Sequence, residues 1–275
     1  MLAALIIVFR EVIEAGLVVG IVSAVTRGVP RNLAWIGGGV VAGILGSCLV
    51  ATFVGSIAAA FSGSGHEILD ASILIIAVIM LAWHNVWMAR HGRSLAAELK
   101  AHGERVAAGR ASLFALATVV AVAVLREGSE IVLFLFGVAV SDGSSTVGIL
   151  TGGVAGLLLG AAVSCLTYLG MLRIPARHLF TVTSTLIAFL AAGMAAQAIA
   201  FLEQGGLLDM LSATVWNTSA FLSDGSIPGR VLHTLVGYVD RPSQMQLLVY
   251  VATLASIFAL MWGLGSGSRA RAVRG

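Results

Sequence analysis

The chain has 275 residues, of which 59% are hydrophobic and only 11% are charged, and its mean hydropathy is +1.01. Soluble domains carry about a quarter charged residues, so this composition excludes an ordinary soluble enzyme or binding domain. The apolar residues lie in blocks of about twenty or more, the length of a helix that crosses about 30 Å of hydrocarbon. The net charge of +3 does not indicate nucleic acid, because membrane topology accounts for the positions of the basic residues.

Apolar runs separated by polar or Pro/Gly breaks predict an all-α, polytopic membrane protein with seven transmembrane helices. The predicted spans are residues 2–26, 33–61, 67–89, 111–140, 147–172, 179–202 and 245–264. We interpret residues 1–264 as one transmembrane domain and residues 265–275 as a cytosolic tail. Residues 91–110 are a charged cytosolic connection that we expect to be partly helical, and residues 203–244 are a long outer segment.

Lysine and arginine residues indicate the orientation of the spans. Twelve of the 16 lie in the connections after spans 1, 3 and 5 and in the C-terminal tail, whereas Arg230 and Arg241 lie on the opposite side. Cytosolic loops of membrane proteins carry an excess of basic residues. We therefore predict a multi-pass protein of the cytoplasmic membrane with its N-terminus outside and its C-terminus in the cytosol.

An internal repeat is visible in the sequence. The Arg-Glu-x-x-Glu motif that begins at Arg10 in span 1 recurs from Arg126 in span 4, 116 positions later, and the glycine pair at Gly38 recurs at Gly152 with an offset of 114. Each copy has three spans, an odd number, so the second copy enters the membrane from the opposite side. The pattern predicts two inverted three-helix repeats, about 1–90 and 111–202, plus a C-terminal helix. In transporters of this design the site forms near the midplane, between the repeats.

The two motifs place six charged groups inside apolar spans. In each motif the glutamates are three residues apart and share one helix face, and the arginine can pair with the second glutamate four residues later. Structural ion pairs are the alternative, but burying six charges costs about 15 to 20 kcal/mol, and small residues achieve helix packing without that cost. The formal balance of −2 indicates a cation site, with metal ligands and supporting arginines as follows: Glu11, Glu14, Glu127 and Glu130, supported by Arg10 and Arg126.

Carboxylate ligands favour hard cations, so the motifs alone leave ferric iron, Mn, Mg and Ca open. A second acidic group, Glu67 and Asp70, begins span 3, where we predict an outer metal site that concentrates cations. The alternative is that both acids only complement the helix dipole. His84, near the cytosolic end of span 3, is expected to be hydrogen-bonded rather than a ligand. The absence of a His-Glu-x-x-His motif disfavours an intramembrane enzyme, and no resident cofactor is expected.

The doubled motif, the seven-span layout and the outward N-terminus resemble the oxidase-dependent iron permease family, which includes yeast high-affinity iron permeases and bacterial EfeU-type proteins. The likeness extends to Glu67-x-x-Asp70, which resembles the family's Glu-x-x-Glu, and to the string from Trp83 to Met88. It implies an iron importer in which the four motif glutamates handle the metal. It also implies ferric iron supplied by an external iron-oxidising or iron-binding partner. A permease for another metal, such as lead or manganese, is the alternative.

Overall fold

The computed structural model describes residues 1–60, 66–142, 145–170 and 176–272, and this part of the chain is helical apart from turns and one isolated β-bridge. Its helices, in chain order, are α1 (Leu2–Val25), α2 (Asn32–Ala60), α3 (His66–Ala107), α4 (Leu113–Asp142), α5 (Thr146–Tyr168), α6 (Ala176–Gln204), α7 (Ile227–Val236) and α8 (Gln244–Ala272).

The predicted all-α membrane class is confirmed. Five of the described helices are long and apolar enough to cross a membrane by length and composition, and these are α2, α3, α5, α6 and α8. The two helices that hold the motifs, α1 with 24 residues and α4 with 30, are also longer than the roughly 20 residues that a span needs. Because α1 and α4 contain buried charges, they are not among the five apolar helices. The count of seven spans therefore stays a prediction.

Three segments differ from the predicted boundaries. The helix α3 continues to Ala107, so the helix expected in part of the connection 91–110 is an extension of span 3, and α8 continues past position 264 to Ala272. The predicted outer segment contains the short helix α7, in which the Ser226 hydroxyl caps the first turn and Gly237 ends the helix at a φ of +66°. Position 61 and positions 171–172 of the predicted spans lie outside the described residues.

Glycines let two helix pairs, α1 with α5 and α2 with α4, approach to backbone contact. A Cβ added at Gly156 of α5 would lie 2.6 Å from the Leu5 carbonyl oxygen of α1. A Cβ added at Gly43 of α2 would lie 2.6 Å from the Val124 Cβ of α4. Membrane helices associate through such small residues because lipid provides no hydrophobic driving force between helices. The motif helices α1 and α4 are therefore each held by a glycine-rich neighbour.

Contacts between helices establish that the two motif helices run in opposite senses. His84 of α3 lies beside the motif of α1, and Gly103 further along α3 lies beside Val25, so α1 and α3 are parallel. His84 also lies beside the motif of α4, whereas Ala77 earlier on α3 meets Gly137 later on α4, so these two helices are antiparallel. We call the face where α1 begins the N-terminal face and the opposite one the C-terminal face.

Two clusters of buried apolar side chains enclose the motifs from both faces. Along α1, Ile7 belongs to the cluster towards the N-terminal face, and Val18, beyond the motif, belongs to the second cluster. The order is reversed along α4, where Leu116 belongs to the second cluster and Phe134 to the first. The charged residues therefore lie inside the bundle, between two apolar layers.

We expect Gly43→Leu to lower the melting temperature of the purified protein in detergent, because Val124 and the Ala121 carbonyl leave no room for a side chain. Overpacking of this kind costs about 1 to 3 kcal/mol. The matched control is Gly38→Leu on the same helix, since a Cβ at Gly38 would meet nothing within 4 Å. Equal melting temperatures for the two variants would show that α2 does not pack on α4 through Gly43.

Candidate metal centre

Each motif contains an ion pair within its own helix. The Nε of Arg10 donates to Oε1 of Glu14 at 2.8 Å, and the Nε of Arg126 donates to Oε1 of Glu130 at 3.1 Å. Both pairs join residues four apart, as the sequence spacing predicts, because one helical turn brings such side chains together. The second glutamate of each motif is thus neutralised locally, before any contact with another helix.

The first glutamates of the motifs, Glu11 and Glu127, have no such partner at hydrogen-bonding distance. Both are buried, and the nearest guanidinium nitrogen to Glu127 is the Nε of Arg126, at 4.0 Å. Although they lie on different helices, Glu11 and Glu127 come together with Glu130 and His84, so that one ligand atom from each lies within 4.8 Å of the others. A metal ion could be held by this group.

His84 is the residue of this group that the sequence did not predict as a ligand. Its Nε2 lies 3.4 Å from Oε2 of Glu14 and 3.9 Å from Oε2 of Glu11, and its Nδ1 lies beside Oε2 of Glu130. Both ring nitrogens therefore face carboxylate oxygens of the motifs, and the expectation that His84 is hydrogen-bonded rather than a ligand stays a prediction. The sequence did show a histidine inside an apolar span. Because His84 is far from both motifs along the chain, the sequence could not show that it lies between them.

Buried polar atoms without a hydrogen-bond partner converge on the same point. Such atoms are rare in folded proteins, and each one left unpaired costs about 1 to 3 kcal/mol, more if it is charged. Most of those found among the described residues belong to the motifs and to His84: Nη1 of Arg10, both carboxylate oxygens of Glu11, one each of Glu14, Glu127 and Glu130, and both ring nitrogens of His84. A bound cation would satisfy the carboxylate oxygens.

The two arginines differ in environment although their motifs are alike. The side chain of Arg10 is 1% exposed, whereas that of Arg126 is 37% exposed and stacks over the Trp87 ring, 4.3 Å from its centroid. Arg126 also borders a cavity of about 320 Å³ between α3 and α4, which reaches His84 and Glu130. The carboxylate cluster is therefore open on the α4 side and closed on the α1 side.

A larger cavity, of about 960 Å³, lies at the N-terminal face, between α7 and the ends of the other helices. Asp224, Arg230 and Gln197 contribute polar groups to its lining. Glu67 and Asp70 are not among the residues that line this cavity. Glu67 lies in the first turn of α3, and Asp70 follows it, about 21 Å from His84 by helix rise. The predicted outer site at these two acids stays a prediction, and it is separate from the buried cluster.

Hydrogen bonds hold the segment between α6 and α8 over this face. The backbone N–H of Asp240 donates to Oδ1 of Asp224 at 3.0 Å, and partial burial raises the pKa of that Asp224 carboxyl group above its usual range. The Tyr238 hydroxyl donates to the Leu222 carbonyl at 2.8 Å. The segment is thus tied together across its own length, which positions α7 at the mouth of the larger cavity.

A cluster of buried carboxylates inside a bundle of apolar helices is typical of proteins that move cations across membranes. The chain belongs to the Iron permease FTR1 family, which it matches over residues 1–265, and the resemblance inferred from its motifs is confirmed.

Relatives named as "Ferrous iron permease EfeU" cover most of the chain. The protein of Yersinia pestis is 30% identical over 262 residues, which are 93% of this chain and 91% of the relative. The protein of Escherichia coli O6:K15:H31 is 30% identical over 250 residues, or 89% of each chain. No solved structure matches this chain.

Arg10→Gln is expected to destabilise the protein more than Arg126→Gln, because only Arg10 is fully enclosed with its carboxylate partner. Removing one partner of a buried ion pair costs about 3 to 5 kcal/mol, whereas partly exposed pairs contribute less. Melting temperatures in detergent measure the difference, with Arg10→Lys as the control that keeps the charge. Equal losses for the two glutamine variants would contradict the asymmetry between the motifs.

Proposed function

We propose that the chain imports iron across the cytoplasmic membrane through the carboxylate cluster formed by the two motifs. The observation that carries this proposal is the convergence of unpaired carboxylate oxygens from α1 and α4 inside an apolar bundle. Membership of an iron permease family supports iron as the cargo. Manganese or lead would meet the same oxygen ligands, and competition with iron uptake distinguishes these cargoes.

Charge explains why a cation would bind at this depth. The motifs contain four glutamates and two arginines, a formal balance of −2. Buried charges persist only when they are paired, bound to a metal or neutralised by a proton. A divalent or trivalent iron ion supplies the missing positive charge and also occupies the unpaired oxygens.

Two arguments about the oxidation state of the iron cargo point to different ions. The sequence resemblance implied ferric iron supplied by an external oxidising or binding partner, whereas the names of the relatives favour ferrous iron. A cluster with a charge of −2 accommodates either ion. Radioactive iron uptake into proteoliposomes, with ferrous and ferric iron compared across an imposed pH gradient, decides between them.

Matching contacts in the two halves support the inference of two inverted repeats. Gly43 packs on Ala121 in the α2–α4 pair, and Gly156 packs on Leu5 in the α1–α5 pair. The glycines are 113 positions apart and their partners are 116 apart, so one contact repeats the other. The sequence predicted an offset of 114 from Gly38 and Gly152, one more than the offset between these two contact glycines. A Cβ at Gly38 would meet no other residue within 4 Å, so Gly38 is not one of the glycines at the α2–α4 contact.

This arrangement suits transport by alternating access. The cluster lies between the inferred repeats, and an apolar layer separates it from each face of the bundle. A cation held there would pass to one face or the other when one repeat moves against the other, which is how transporters built from inverted repeats expose a central site. We propose that the cavity at the N-terminal face is the outer vestibule of this pathway.

Replacing Glu127 or Glu130 with glutamine is expected to lower iron uptake into proteoliposomes by about 10-fold or more. Even changes outside the first ligand shell cost metal sites about 10- to 100-fold, and these changes remove ligand oxygens themselves. The control is Glu104→Gln on the exposed extension of α3, where the carboxylate is 59% exposed. Normal uptake by both motif variants at matched protein levels would exclude these carboxylates from the pathway.

The proposed orientation is tested with reporters fused within the chain. A reporter after Lys100 should be cytosolic, and one inserted between positions 142 and 145 should be external, because the basic residues predict that α4 starts in the cytosol. Phosphatase and fluorescent-protein fusions report the two locations independently. If both fusions read the same side of the membrane, α4 does not cross it.

A further inference from the structure

We infer that His84 is the nitrogen ligand of the iron site and that it gives the site its preference for iron over Mg²⁺ and Ca²⁺. The inference rests on the proposed function, because it concerns the same cluster. It goes further by assigning a specificity role to α3, a helix that contains neither motif.

The His84 ring lies between carboxylates of both motif helices. Its Nε2 faces Glu14 and Glu11 on α1, and its Nδ1 faces Glu130 on α4. One of its ring nitrogens also belongs to the group of four potential ligand atoms that lie within 4.8 Å of one another. A cation at this point therefore meets oxygen ligands from two helices and a nitrogen ligand from a third.

The surroundings of the ring hold it in this position. The imidazole is almost fully buried, and the Phe134 ring packs against it edge-on at 6.3 Å between centroids. The next residue, Asn85, donates from its side chain to the Ser184 carbonyl of α6 at 2.9 Å, which anchors this turn of α3. Metal sites depend on such support, because ligands must be held close to their binding geometry.

A histidine that binds a metal also needs a hydrogen-bond partner for its other ring nitrogen. The carboxylates on either side of His84 can be that partner. A neutral imidazole has one nitrogen that accepts and one N–H that donates. When one ring nitrogen binds the cation, the N–H of the other can donate to the carboxylate on the opposite side, Glu14 or Glu130. Metal-binding histidines almost always make such a bond, which fixes the ring and strengthens the ligand.

A nitrogen ligand changes which cations the site prefers. A cluster of carboxylates alone suits Mg²⁺ and Ca²⁺, which are hard cations with oxygen ligands. Imidazole suits iron and its transition-metal neighbours. His84 therefore strengthens the preference of the site for iron over the hard divalent cations, and without it that preference would be smaller.

A purely structural role for His84 would have different consequences. If the ring only bridges α1 and α4 through ionic contacts, its replacement would lower stability and uptake without changing the order of cation preference. The ligand role instead requires a change in selectivity and in the atoms around bound iron. The experiments below measure these two properties separately from stability.

The first experiment measures ferrous iron uptake by His84→Gln in proteoliposomes, with and without excess Mg²⁺ or Ca²⁺. We expect inhibition by these ions to increase about 10-fold over wild type, the lower end of what metal-site changes produce. His102→Gln, towards the end of α3, is the matched control and should behave as wild type. An unchanged inhibition profile in His84→Gln would overturn the selectivity role.

The second experiment records X-ray absorption of the purified protein loaded with Fe²⁺ alone. Wild type should show the outer-shell scattering of one imidazole, and His84→Gln should lose it while oxygen scattering remains. Wild-type iron without imidazole scattering would overturn the inference, and this result does not depend on whether the variant folds. Failure of the proposed function looks different, because wild type would then neither bind nor transport iron.

Discussion

The pairing of arginine and glutamate within α1 and within α4 is the interaction on which the rest of the bundle depends. Unpaired charges inside an apolar bundle are costly, and each motif lowers that cost by neutralising one of its own carboxylates, through Arg10 with Glu14 and Arg126 with Glu130. The pairing leaves two further glutamates uncompensated where the helices meet. The same geometry therefore permits the motifs to be buried and leaves a negative site for a cation.

Close packing around these two helices follows from that constraint. A charged cluster between helices must be shielded from lipid, and the glycine-rich helices α2 and α5 cover the outer sides of α4 and α1 at backbone contact. Apolar clusters close the site towards both faces of the bundle. Among the charged side chains of the two motifs, Arg126 is the most exposed, and its guanidinium stacks on Trp87 at the edge of a cavity. The pair on α4 is consequently the more accessible of two otherwise similar pairs.

The helix α3, which contains neither motif, contributes an imidazole to the carboxylate cluster. His84 brings the cluster its nitrogen atoms, and it is held by contacts with α4 and, through Asn85, with α6. Four helices thus cooperate at one point, and two of them contain no motif. If His84 binds the metal, as proposed, its imidazole would help the site to discriminate among cations of similar charge.

Local properties of the chain were predictable from the sequence by itself. Hydrophobic length indicates membrane helices, and the arginine-to-glutamate pairs follow from a four-residue spacing, because both depend only on the geometry of one helix. The tertiary structure decided which faces meet: it placed His84 among the carboxylates, packed Gly43 and Gly156 against the motif helices, and separated Asp70 from the cluster. These outcomes depend on the rotation and crossing of helices distant in the chain, which no spacing within one helix can specify.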